Sequence, residues 1–126
     1  MFRKIFALLL IASSTTASAQ DVMHKEKDGT YVINTTTLAD DVDGYAGPTP
    51  VEVHIKKNKI VKVVVLKSKE GPKYTARVKK EMMPKYDGMN IKKGVKQVDA
   101  VTGATFTSKA IQENIARAVA YYQKHK

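Results

Sequence analysis

The sequence predicts a small α+β domain, an antiparallel sheet with packed helices that ends in a C-terminal amphipathic helix. Two stretches predict the sheet. Val51-Glu52-Val53-His54-Ile55-Lys56 alternates strictly, and after Lys57-Asn58 a second β-branched run extends from Ile60 to Leu66. A third stretch predicts the helix, because Ile111, Ile115, Ala118, Val119 and Tyr122 recur at the spacing of one helical face.

Residues 1–19 read as an export signal and not as part of the fold. Met1-Phe2-Arg3-Lys4 is a basic start, Ile5 to Ala12 is apolar, and Ala17-Ser18-Ala19 has the form of a cleavage site before Gln20. The apolar run is far shorter than the ~20 residues that a spanning helix needs. A core helix would not account for the basic start and the small-residue ending together. Residues 20–126 are then expected to be one domain, exported to the periplasm or another extracytoplasmic space. With no cysteine in the chain, acylation on a cysteine after the signal is excluded, as are disulfides, thiol redox chemistry and thiolate metal sites.

Along the mature chain, residues 20–28 are polar and read as a frayed end. Thr30 to Thr36 is rich in β-branched and aromatic residues and predicts the first strand. An acidic, glycine-containing loop from Asp40 to Pro48 follows. In the next strand Val51, Val53 and Ile55 are expected inside and Glu52, His54 and Lys56 outside. Lys57-Asn58 suits a two-residue hairpin turn, because asparagine tolerates positive φ. The return strand from Ile60 to Leu66 is apolar on both faces except at Lys62, which predicts a central strand covered on each side. A short helix is expected from Tyr74 to Met83, after the Gly71-Pro72 break and before Pro84, with a second around Met89 to Lys92. Thr107 or Ser108 is expected to cap the last helix. Met82, Met83 and Met89 read as core filler, and one of Tyr121 and Tyr122 should lie in the core.

The formal charge of +10 comes from 22 basic and 12 acidic residues. Loss of Arg3 and Lys4 with the signal would leave +8. The lysines are spread along the chain, a distribution that favours anionic surfaces and acidic proteins. Few aromatic residues are available to stack on bases, so nucleic acid is not an expected partner. His24, His54 and His125 are isolated in sequence, and no metal site is expected.

No acid pair or histidine cluster suggests a catalytic centre. The chemistry-bearing stretch is Asp99-Ala100-Val101-Thr102-Gly103-Ala104-Thr105-Phe106-Thr107-Ser108. Gly103 and Ala104 leave the backbone open to a bulky group, and Thr102, Thr105 and Thr107 supply hydroxyls. The helix that follows offers unsatisfied N–H groups and a partial positive charge to an anion. A polar loop with a capping cluster would account for the hydroxyls alone. The full pattern with Asp99 fixed arises by chance in about one in two thousand chains this long.

These residues resemble the flavinylation motif of the FMN-binding domain family, Asp-x-x-[Ser/Thr]-Gly-Ala-[Thr/Ser]. The resemblance extends along most of the mature chain. Asp28-Gly29-Thr30-Tyr31 is similar to the family's opening strand, Gly44-Tyr45-Ala46-Gly47-Pro48 to its Gly-Tyr-x-Gly-Pro segment, and Val51-Glu52-Val53 to the strand that follows. Lys59-Ile60-Val61-Lys62-Val63-Val64-Val65 is similar to its Lys-Ile-x-x-Val-x-Val strand. One loop departs: relatives often carry Glu-Thr-Pro-Gly, whereas this chain has Lys69-Glu70-Gly71-Pro72. The chain thus looks like a stand-alone relative of the FMN-carrying subunits of Na+-translocating NADH:quinone oxidoreductase and of Rnf complexes.

The resemblance implies FMN joined through its phosphate to Thr105, with Asp99, Thr102, Gly103, Ala104 and Thr107 around the attachment and Asp99 positioning the turn or the modifying enzyme's metal. It implies a separate flavin transferase, Mg2+-dependent, that takes FMN from FAD. Tyr45 has two readings, a ring stacked on the isoalloxazine or a tyrosine covering the sheet edge. The function implied is an electron carrier serving redox partner proteins, some membrane-bound, and not an enzyme with its own substrate. A flavin-dependent extracytoplasmic reductase and a non-redox exported binding module of the same fold are the alternatives.

Overall fold

The computed structural model describes residues 22–126; the expected export signal at 1–19 and Gln20 lie outside the described residues. The fold is α+β. Four strands, β1 (Met23–Lys25), β2 (Tyr31–Asn34), β3 (Val51–Lys56) and β4 (Lys59–Val65), form an antiparallel sheet in the order β1-β2-β3-β4. Helix α1 (Pro72–Glu81), a 3-10 turn (Met83–Tyr86) and helix α2 (Thr105–His125) complete it. The inward residues of β3 and β4 meet the apolar stripe of α2 and the buried side chains of Val78, Met82 and Met83. All five predicted stripe residues of α2 are buried, as burial of an amphipathic face requires. Tyr122 is buried and Tyr121 half-buried.

The hairpin has the predicted form. Lys56 pairs with Lys59, and Lys57 and Asn58 turn with φ of 51° and 62°, the paired positive values of a turn that matches strand twist. Val51, Val53 and Ile55 are fully buried, and their neighbours are half-exposed.

Several expectations are corrected. Residues 23–25 are not frayed: β1 pairs with β2, Met23 opposite Ile33 and His24 opposite Val32, because backbone pairing recruits even a polar segment. The strand expected from Thr30 to Thr36 is confined to Tyr31–Asn34. Thr35 instead turns its hydroxyl inward, where it donates to the Val51 carbonyl at 3.2 Å and accepts from the Val51 N–H at 2.9 Å. β4 is an edge strand, with Val61 and Val64 exposed; β-branched residues favour extended backbone whether or not both faces are covered. Helix α1 starts at Pro72, since a proline at the first position lacks only an N–H that would be unpaired anyway. Met89 to Lys92 is not helical, because Asn90 bridges to Lys59 and the Met89 carbonyl accepts from the Ile60 N–H.

Candidate functional site

The turn before α2 is anchored from inside. Val101 and Ala104 are buried, the Ala104 N–H donates to the Val101 carbonyl at 3.0 Å, and the Val101 N–H donates to the Ser108 hydroxyl at 3.0 Å. Thr102, Gly103 and Thr105 are exposed on the outer side. Gly103 has φ of +86°, and a Cβ there would lie 2.8 Å from Arg77 Nη1. The left-handed backbone favours glycine there, and the near contact shows how closely the Arg77 guanidinium approaches the turn.

Thr105 is the first residue of α2, and among the described residues no side chain caps that helix. Neither Thr107 nor Ser108 is the cap, contrary to expectation; Ala104 holds that position. The first helical N–H to find its carbonyl is that of Ser108, which donates to Ala104 at 2.9 Å. The preceding N–H groups lack an i−4 carbonyl, and the first turn carries no acidic residue.

Beside this helix start lies an open cleft of about 150 Å³, bounded by Tyr45, Tyr74, Phe106 and the backbone from Gly103 to Thr107. Tyr45 is 73 % exposed and Phe106 68 %. Their rings stand 6.5 Å apart, and Tyr45 lies 6.2 Å from Tyr74. Three aromatic faces thus converge where most soluble surfaces carry polar groups.

Glu70 organises the cleft from below. It is only 6 % exposed. Its carboxylate accepts from the Tyr45 N–H at 2.9 Å, from the Ala46 N–H and from the Thr107 hydroxyl. One side chain therefore joins the loop carrying Tyr45 to the first turn of α2. Gly44 makes the approach possible, since a Cβ there would sit 2.5 Å from Glu70 Oε1.

Of the predicted site residues, Tyr45, Gly103, Ala104, Thr105 and Thr107 line the cleft. The Thr107 side chain itself points inward to Glu70 and is 1 % exposed. Thr102 and Asp99 are exposed on the same turn but do not line the cleft. Tyr74, Phe106, Arg77 and Glu70 were not singled out from sequence. Phe106 lay within the motif, and Glu70 is the glutamate kept in the altered loop, so both carried a signal.

The donor set fits FMN. An uncapped helix start and the nearby Arg77 guanidinium suit a phosphate, and the aromatic faces suit a flat ring system. The cleft is smaller than the ~300–1,000 Å³ of enclosing ligand pockets, so a ring lying there would keep much of its surface open. Comparison with family models gives a match to the FMN-binding domain over residues 44–120, which includes every residue of the cleft. No curated protein and no solved structure matches the chain. With the match covering more than half the chain and the cleft able to take the group, the protein belongs to the FMN-binding domain family, and its cofactor is FMN.

Proposed function

We propose that the protein is an exported electron carrier whose FMN is held covalently, by a phosphoester to Thr105. The observation that carries this reading is the position of Thr105: exposed, at the uncapped first turn of α2, in the Thr-Gly-Ala-Thr context. An alcohol is a weak nucleophile unaided, so a separate Mg2+-dependent flavin transferase performs the attachment. In that step the Thr105 oxygen bonds to the FMN-side phosphorus of FAD, the pyrophosphate bond breaks, AMP leaves and the hydroxyl proton is lost.

The bound FMN supplies one- and two-electron transfer. The chain's own residues bind and orient it. The N–H groups at the start of α2 and Arg77 receive the phosphate charge, Gly103 keeps the approach clear, and Tyr45, Tyr74 and Phe106 offer surface to the ring. Glu70 fixes Tyr45 relative to the helix. A tether suits an exported carrier, because flavin lost outside the cell is not readily replaced. The shallowness of the cleft favours exchange with a protein partner at the ring's open side, and the basic surface speeds encounter with acidic partners or an anionic membrane face. The same openness would admit a small acceptor, which is the reductase reading; turnover with small acceptors at rates matching those with a protein partner would support it.

Intact mass of the protein produced with and without a flavin transferase tests the attachment. The expected gain is one FMN less water, present only with transferase and absent in Thr105→Ala. Thr105→Ser should retain it, since the hydroxyl is what reacts. An unmodified mass beside an active transferase would remove the covalent reading.

A further inference from the structure

We propose that the outer edge of β4 is a docking groove for an extended acidic segment of a partner protein, taken up as a fifth strand. β4 is the last strand of the sheet. The start of its outer edge is covered: the Ile60 N–H donates to the Met89 carbonyl at 2.9 Å, and the Gly88 N–H donates to the Ile60 carbonyl at 2.7 Å. Beyond that point the edge is open among the described residues. The Leu66 N–H donates inward to Pro50 at 3.0 Å, so by the alternation of an antiparallel ladder Val65 and Val63 turn their N–H and C=O groups outward.

A groove of about 350 Å³ runs along this edge, with Val63, Val65, Met83 and Pro84 as apolar lining and Lys62 and Lys79 as charged lining. It continues past Val65 and Lys79 to Lys67. Helix α1 does not close it, because that helix packs on the 3-10 turn and on α2. Unpaired backbone beside an apolar trough is the arrangement used in strand addition, where main-chain bonds give affinity and alternate side chains give specificity.

Charge selects the occupant. Lys62, Lys67 and Lys79 face the groove against two acids, Asp87 and Glu70, and Glu70 is buried with its carboxylate already taken by three donors. Pairing of two β4 edges from separate copies would gather the lysines of both along one seam, where like charges repel; edge lysines commonly guard sheets in this way. An acidic strand meets no such repulsion. Val63 and Val65 share the face of their partners Val53 and Val51, while Lys62 shares that of His54. The occupant should therefore alternate, with apolar residues toward Met83 and Pro84 and acids toward Lys62. This inference does not depend on the flavin.

The probe is a fluorescein-labelled seven-residue peptide alternating glutamate and valine, titrated into the folded protein while amide hydrogen exchange is followed. Saturable binding that weakens with salt, together with slowed exchange at Val63 and Val65, is expected. Lys62→Glu should weaken it about tenfold. Lys62 is exposed, so that variant should fold; N-methylation of alternate peptide nitrogens, which leaves the protein untouched, should also abolish binding. The proposal is overturned by equal binding of a lysine–valine peptide, by binding without protection at Val63 and Val65, or by no saturable binding. A peptide-free dimer with those amides already protected would overturn it in favour of a second copy.

Discussion

At the scale of single residues the site depends on Glu70 as much as on Thr105. A carboxylate with three donors around it has no equivalent in an amide, which must present an NH2 to at least one N–H or O–H. Glu70→Gln should therefore destabilise by about 1–3 kcal/mol, the cost of leaving a buried donor unpaired. Urea unfolding measures this, and faster amide exchange at Tyr45 and Ala46 should accompany it. Gly44→Ala is an independent probe. Its φ is not positive, so its effect is steric, from a Cβ 2.5 Å from Glu70 Oε1 and 3.0 Å from Thr49 Cγ2. It should loosen the same two amides; unchanged exchange in both variants would show that Glu70 does not hold the loop. Thr105 and Gly103 were legible in the sequence because their roles are local, a hydroxyl and a left-handed turn in adjacent positions. For Glu70 only its place in the altered loop was legible, because its role arises only when Ala46, 24 residues before it, and Thr107 in the first turn of α2, 37 residues after it, meet it.

Elements were legible where one local rule decides them. The β3–β4 hairpin follows from alternation and a two-residue turn, and α2 from its stripe. What could not be read was which element lies beside which: the valines of β4 fit a central strand as well as an edge, and a polar N-terminal segment gave no sign that it would pair as β1. The hairpin turn permits a prediction with opposite signs at neighbouring residues. Lys57 holds φ of 51°, which strains any residue with a Cβ. Lys57→Gly should stabilise by about 0.5–1 kcal/mol, raising the melting temperature by a few degrees. Asn58 holds φ of 62°, yet its side chain accepts from the Tyr122 hydroxyl at 3.1 Å and from Lys126 Nζ at 3.0 Å. Asn58→Gly relieves the same strain and loses those bonds, so it should gain less than Lys57→Gly or lose stability. Thermal melts of the two variants decide the matter, and equal gains would mean that the Asn58 bonds contribute nothing.

For the whole molecule, stability and charge are linked through ties between distant segments. Arg117 on α2 donates to the Leu38 carbonyl at 3.0 Å and to the Asp41 carboxylate, pinning the long β2–β3 loop to the helix. The hydrogen bond from Arg117 holds the Asp41 carboxyl below its ordinary value of 3.8. A carboxylate depressed in the folded state stabilises fully above its unfolded value and loses that contribution as pH falls through the folded one. Asp41→Asn should accordingly be less stable than the parent at pH 7, and the two should converge below pH 3.8. At the other extreme, burial pushes the Tyr86 hydroxyl up to about 12 from 10.0. The folded state therefore favours the protonated phenol, and its stability should fall as pH rises from 10 through about 12. Tyr86→Phe should flatten that alkaline decline while leaving the acid limb unchanged. Denaturant midpoints across pH test both limbs on the same proteins. A gap between Asp41→Asn and the parent that stays constant down to the lowest pH would show that the loop is pinned by packing and not by the ion pair.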